Sequence, residues 1–233
     1  MTTQLPLALD LRHAPGLDDF VVGQNRALLE QLRRALDDDG ERLIFISGPT
    51  GSGRSHLLLG QCNAAEQSGL RCVYLPLHEK QELTPAVLEG MEQFDLLAID
   101  DVDAIAGDTD WETALFNLFN RCRDNHRRLL FSATCGPTAL AIDLPDLRSR
   151  LSWGLTIGLH ALDDDGRRQL LHALAERRAM RLPDEVARYL LERASRHPRD
   201  LVELVARLDR ASLAEKRHLT IPFVRGCLEL GNE

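Results

Sequence analysis

The sequence predicts an α/β fold, a parallel sheet covered by helices on both faces, followed by a small all-helical domain. Three observations carry this. Short apolar runs alternate with helix-period segments up to about Ala161, the pattern of buried parallel strands joined by helical crossovers. The first of these runs leads directly into Gly48-Pro49-Thr50-Gly51-Ser52-Gly53-Arg54-Ser55. That loop has the G-x-x-x-x-G-K-[ST] spacing of a P-loop, with arginine in place of lysine. Beyond Ala161 no further strand pattern recurs and only helical periodicity remains.

Taken in order, residues 1–16 read as a tail in which Pro6, Pro15 and Gly16 discourage regular structure. Over residues 24–37, Leu28, Leu32 and Leu36 recur at helical spacing, and Leu29 and Ala35 widen the stripe. Leu43-Ile44-Phe45-Ile46 reads as the first strand, and the helix after the glycine-rich loop runs toward Gly69. Cys72-Val73-Tyr74-Leu75 is the second strand, and Pro85 opens a short helix expected over residues 85–93. Leu96-Leu97-Ala98-Ile99 is the third strand and ends in Asp100-Asp101. An amphipathic helix follows over residues 110–125 through Trp111, Ala114, Leu115, Leu118 and Phe119. Leu129-Leu130-Phe131 and Leu155-Thr156-Ile157 complete the strands. Helices are then expected over residues 163–179, 184–195, 198–216 and 221–230, with acidic or proline starts at Asp163, Pro183 and Pro198. The domain reading is a tail at 1–16, an α/β nucleotide-binding domain at 17–161 and a helical domain at 162–233.

The chain is 44% hydrophobic and 27% charged, ordinary for a globular protein, and its net charge of −8 argues against a protein that coats nucleic acid. Five widely spaced cysteines without a C-x-x-C pair read as reduced thiols. No charged start followed by an apolar run, and no stretch of membrane length, is present, so a cytoplasmic protein without membrane contact is expected.

The glycine-rich loop lies between a strand and a helix, the context that lets backbone N–H groups and the helix N-terminus meet phosphate. Gly48, Thr50, Gly51, Ser52, Gly53, Arg54, Ser55 and His56 are therefore the candidate phosphate-binding segment. Ser55 offers a hydroxyl to Mg²⁺. Asp100, at the C-terminal end of a core strand, is placed to hold that ion through water, and Asp101 to orient an attacking water. The bland alternative is that the two carboxylates only close a strand. Arginine is bulkier and planar where lysine is compact, so Arg54 predicts nucleotide binding with weak intrinsic hydrolysis. The alternative is an ordinary ATPase that tolerates the exchange. His56 is expected to pack rather than react, Trp111, Phe116 and Phe119 to be core, and Trp153 to be structural.

Several segments together resemble the DnaA-related AAA+ proteins, and most closely their shorter Hda-type members, over residues 4 to about 230. Asp19-Phe20-Val21-Val22-Gly23-Gln24-Asn25-Arg26 resembles the box lining the adenine pocket, which assigns Val21, Val22 and Asn25 to the nucleotide. Gly53-Arg54-Ser55-His56-Leu57-Leu58 carries the arginine seen in Hda-type members. Leu147-Arg148-Ser149-Arg150-Leu151-Ser152-Trp153-Gly154 resembles the box that bears an arginine finger, which assigns Arg150 to act in trans on a neighbour's nucleotide. Arg199, in Pro198-Arg199-Asp200-Leu201, stands at the sensor 2 position, and Leu219-Thr220-Ile221-Pro222-Phe223-Val224 is a further Hda-type segment. Thr134 stands at the sensor 1 position, where the family often has aspartate. Gln4-Leu5-Pro6-Leu7-Ala8-Leu9 resembles the peptide by which such proteins bind the sliding clamp of the replicative polymerase. In that reading Gln4 supplies an amide and Leu5, Leu7 and Leu9 supply apolar anchors.

The resemblance implies an ADP-bound adaptor (ATP or another nucleoside diphosphate being alternatives) that, with the DNA-loaded clamp, stimulates ATP hydrolysis by DnaA and so restrains replication initiation. Partners implied are DnaA and the β clamp, with a homo-oligomer possible and DNA contact indirect or weak. No residues after the helical domain are expected to build the helix-turn-helix domain of the full initiator. The competing reading is an AAA+ ATPase acting for itself, such as a helicase loader or DNA-remodelling factor. A third is a non-catalytic nucleotide sensor acting as a scaffold.

Overall fold

The computed structural model describes residues 16–229, so the clamp-like segment with Gln4, Leu5, Leu7 and Leu9 lies outside the described residues. The chain forms two compact units: residues 16–20 with 25–161, and residues 21–24 with 162–229.

The first unit is built on five parallel strands: β1 (Leu43–Ser47), β2 (Cys72–Pro76), β3 (Leu96–Asp100), β4 (Arg128–Ala133) and β5 (Leu155–Gly158). Their spatial order is β2-β3-β4-β1-β5. Strand β4 thus separates the strand feeding the glycine-rich loop from the strand ending in Asp100. Register places Ile46 opposite Ser132 and Ile99 opposite Phe131.

Side chains alternate between the two faces of the sheet. Phe45, Leu97, Ile99, Leu129 and Phe131 join one buried cluster, and Ile44, Ile46, Leu96, Ala98 and Leu130 join the other. The second face is covered by α1 (Arg26–Arg34) and α2 (Arg54–Gln67), which contribute Leu28, Leu32, Leu57, Leu58 and Cys62. The first is covered by α3 (Thr109–Asp124) and α4 (Pro145–Leu151), through Trp111, Leu115, Leu118, Phe119, Leu147 and Leu151. Sheet strands buried on both faces explain why they read as continuous apolar runs.

Two local expectations change. Residues 85–93 are not one helix: single 3-10 turns at Pro85–Leu88 and Met91–Gln93 flank an extended Glu89 and a Gly90 with φ 77°. A left-handed glycine stops helical propagation. Conversely, α4 was not expected. It is short, starts with proline at its first turn, and buries only Leu147 and Leu151, one turn apart.

The second unit contains α5 (Asp164–Glu176), α6 (Asp184–Arg193), α7 (Pro198–Glu215) and α8 (Ile221–Glu229). Leu171, Val186, Leu190, Leu201, Val205, Leu208 and Val224 form its own core. Asp163 caps α5 by accepting from Gly166 N at 2.8 Å. Among the described residues no helix is long and apolar enough to cross a membrane.

Candidate functional site

The glycine-rich loop leaves β1 at Ser47 and enters α2 at Arg54. Gly51 and Gly53 sit at φ 78° and 101°, a backbone region open to glycine at low cost. At Gly53 the position a Cβ would take lies 2.7 Å from the ring of Phe20, so that ring closes directly on the loop. Gly48 is packed under Leu159, whose carbonyl oxygen would stand 2.8 Å from an added Cβ. The loop ends at the N-terminus of a 14-residue helix, where the first amides have no intrahelical acceptors. Ser52 Oγ and Arg54 Nε are both buried and unpaired. Two orphaned buried polar groups beside free helix amides fit a phosphate group, which would complete them.

Arg54 is turned inward. It is 8% exposed, donates from Nη1 to the Gly48 carbonyl oxygen, and its Nη2 lies 2.6 Å from Asp101 Oδ1. Asp101 has φ 56° and holds His78 Nδ1 at 3.0 Å on its other oxygen. The carboxylate expected to orient water is therefore paired with the loop's own arginine and a histidine that sequence reasoning did not select.

Asp100 is fully buried. Its Oδ2 accepts from the Tyr74 hydroxyl at 2.7 Å, and its Oδ1 accepts from the Ser132 hydroxyl and from Asp101 N at 3.2 Å. Burial first, and the Asp100 charge second, push the phenol well above its usual range, so it stays a donor. This donor set does not fit a magnesium ion held through Asp100: both oxygens of its buried carboxylate are already taken by the Tyr74 and Ser132 hydroxyls and Asp101 N. The expected metal role of Asp100 is revised accordingly.

Other expected residues fall as follows. Asn25 is buried and uses both ends of its amide on His160: Nδ2 donates to the His160 carbonyl at 3.0 Å, and Oδ1 accepts from His160 N at 2.8 Å. It clamps the start of α1 to the chain after β5, and its amide is committed there rather than offered to a base. Val21 and Val22 group with the second unit, and Val22 is exposed. Thr134, exposed after β4, donates to Asp103 Oδ2 at 2.7 Å. His56 packs edge-on to Phe20 with ring centroids 5.5 Å apart and reaches the Gly16 carbonyl at 3.2 Å. Arg199, in the first turn of α7, is 81% exposed and pairs with Glu203 at 3.4 Å.

Arg150 lies in the last turn of α4, and its guanidinium rests over the ring of Trp153 at 3.9 Å from the centroid. Trp153 is 54% exposed, meets the buried Phe119 edge-on at 6.4 Å, and has Arg123 at 5.6 Å. Arg148 bends back to the Ile142 carbonyl at 3.4 Å, so Arg150 is the one held on the exposed aromatic. Leu147 and Leu151 anchor the helix beneath. Its entry is fixed by Glu112, a buried carboxylate accepting from Gly107 N at 2.8 Å, Asp143 N at 3.1 Å and Leu144 N at 2.8 Å. At Gly154 an added Cβ would lie 2.0 Å from the Leu43 carbonyl oxygen, so the backbone after Trp153 presses directly on β1.

Sequence reasoning missed Tyr74, His78, Glu112 and Ser132. The available signal was chemical: a tyrosine, a serine and a glutamate within otherwise apolar faces need buried partners.

A P-loop and an acid-ended strand separated by one further strand, followed by a four-helix unit, define an AAA+ nucleotide-binding protein. The chain belongs to the bacterial DnaA ATPase domain family, whose profile matches residues 11–158. Residues 164–228 match the Hda lid domain. An uncharacterized protein of Haemophilus influenzae is 38% identical over 99% of this chain and 100% of its own length. Domain III of the Thermotoga maritima replication initiation protein DnaA shares the fold, with TM-score 0.78 and 24% identity over 96% of this chain and 98% of that one. AMPPCP-bound DnaA from Aquifex aeolicus is similar with TM-score 0.73 and 26% identity, covering 88% of this chain and 68% of that one. Thermotoga maritima RuvB shows the same fold at TM-score 0.71 and 17% identity, over 94% and 72% of the two chains. The chain is thus a DnaA-related AAA+ protein with a nucleotide-binding fold and an Hda-type helical lid.

Proposed function

We propose that this protein is a cytoplasmic adaptor that holds ADP in its own P-loop and presents Arg150 to the ATP site of DnaA, stimulating hydrolysis there and restraining replication initiation. The observation that carries the reading is the pairing of a closed site with an open arginine. Arg54 is spent on Gly48 and Asp101, whereas Arg150 stands on an exposed tryptophan.

In this reading the amides of Thr50, Gly51, Gly53 and Ser55, with Ser52 Oγ and Arg54 Nε, hold the diphosphate. Val21, Val22 and Arg199 are the further residues that this reading assigns to the nucleotide. Bound ADP contributes negative charge that sets the conformation of the P-loop. Asp101, neutralised by Arg54 and engaged with His78, is poorly placed to activate water, which supports weak intrinsic hydrolysis. A guanidinium placed against a partner's γ-phosphate stabilises transition-state charge, an effect worth about 10³–10⁵ in rate for arginine fingers. Gln4, Leu5, Leu7 and Leu9 would seat the chain on the sliding clamp, which brings it to DNA with its own DNA contact indirect or weak.

The test is ATP hydrolysis by DnaA with DNA-loaded clamp, with and without this protein and ADP. Stimulation that requires the protein, ADP and the loaded clamp is expected. Rapid ATP turnover by the isolated protein, with no effect on DnaA, would instead favour a self-acting ATPase.

A further inference from the structure

Resting on the nucleotide-binding reading above, we infer that this chain binds its nucleoside diphosphate without a divalent metal, because the Tyr74 and Ser132 hydroxyls already occupy the Asp100 carboxylate that would hold the ion's waters. In a P-loop site the serine hydroxyl and the strand-end aspartate face each other across the ion and its waters. Here β2 runs beside β3, with Pro76 opposite Asp100 and Tyr74 opposite Ala98. That register brings a ring 7% exposed up against the aspartate, where its hydroxyl donates to Asp100 Oδ2 at 2.7 Å.

The rest of the aspartate is also filled. Ser132, on the strand inserted between β1 and β3, donates to Asp100 Oδ1, as does Asp101 N. A wholly buried carboxylate holding three donors has little left to offer the waters of a hydrated ion. Magnesium gives up its waters reluctantly and demands near-octahedral geometry, so it does not enter by displacing a buried phenol at small cost. The diphosphate is met instead by hydrogen-bond donors of the protein. Arg54, whose Nε is buried and unpaired, stands in the loop itself beside the amides at the start of α2.

The experiment is titration of the full chain with fluorescent ADP in excess magnesium and again in excess EDTA. Wild-type affinities in the two conditions are expected to agree within about threefold, less than the 1.4 kcal/mol that a tenfold change represents. Tyr74→Phe removes the hydroxyl and keeps the packed ring. Its affinity is expected to become magnesium-dependent by about tenfold. Loss of about tenfold or more by the wild type in EDTA overturns the inference while leaving the nucleotide reading intact. Equal metal independence of Tyr74→Phe overturns the assignment to Tyr74. Absence of ADP binding in both conditions defeats the nucleotide reading and this inference with it.

Discussion

Arg54 and Arg150 belong to the same compact unit and have opposite fates. Arg54 is buried, its fork closed on a backbone carbonyl and an aspartate at 2.6 Å. Among the described residues Arg150 has no carboxylate within salt-bridge reach, and it instead rests on a half-exposed indole at 3.9 Å. A guanidinium paired in the interior is held by charge and is costly to release. One resting on an exposed aromatic face is held by about 0.5–1 kcal/mol and is exchanged readily for a stronger anion. The contrast teaches that the inward arginine is suited to keeping a site quiet and the outward one to acting on a partner.

The largest test of that contrast is Arg150→Ala. Stimulation of DnaA ATP hydrolysis is expected to fall by about 10³ or more, with ADP affinity unchanged. Arg148→Ala, removing a side chain tied to the Ile142 carbonyl, is expected to leave stimulation near normal. If the two variants behave alike, the distinction between them fails. Next comes Arg54→Lys, which opens the closed site. A single ammonium cannot reproduce the planar fork between Gly48 and Asp101, so Asp101 is freed. Intrinsic ATP turnover, read by phosphate release, is expected to rise by about tenfold, a change of about 1.4 kcal/mol in barrier. An unchanged rate would mean that Asp101 is not what limits hydrolysis.

Trp153→Ala sharpens the outer half. Loss of the aromatic platform should lower stimulation by about two- to fivefold, the equivalent of an exposed cation–π contact. Because the ring is half exposed, thermal stability should shift little. A large fall in melting temperature would make Trp153 a packing residue instead. The smallest effect concerns His56, beside the closed site. Burial depresses its folded pKa below the ordinary 6.5, against a smaller upward pull from the Gly16 carbonyl. Its contribution to stability is therefore fully present above 6.5 and is lost as pH falls below that value toward the folded pKa. Urea midpoints measured from neutral to mildly acid pH should fall less steeply for His56→Gln than for the wild type.

What could be read from the sequence was what is local. Ile44 to Ile46 and Leu96 to Ile99 announce buried strands by composition alone, and the spacing from Gly48 to Ser55 places the loop between a strand and a helix. The helices of the second unit follow from proline and acidic starts and regular apolar spacing. Helix α4 escaped because seven residues with two inward leucines give too short a period to detect. The interrupted stretch at 85–93 turned on the conformation of Gly90, which periodicity does not report. In the site, the loop and Asp100-Asp101 were visible as motifs, but their pairing was not. Tyr74 reaches Asp100 across 26 positions and Ser132 reaches it across 32, contacts that depend on strand order and register. The inward turn of Arg54 likewise depends on Asp101, 47 positions away.

Gly154 gives the molecule a ruler. Its backbone is pressed on Leu43, at the start of β1, while Ser47 at the other end of that strand leads into the P-loop. Four residue steps of extended chain, roughly 13 Å, thus separate the footing of the presented arginine from the chain's own nucleotide loop. A strand buried in the middle of a sheet neither stretches nor bends appreciably, so that spacing is a constant of the fold. Any partner that met both ends at once would have its own dimensions gauged against it.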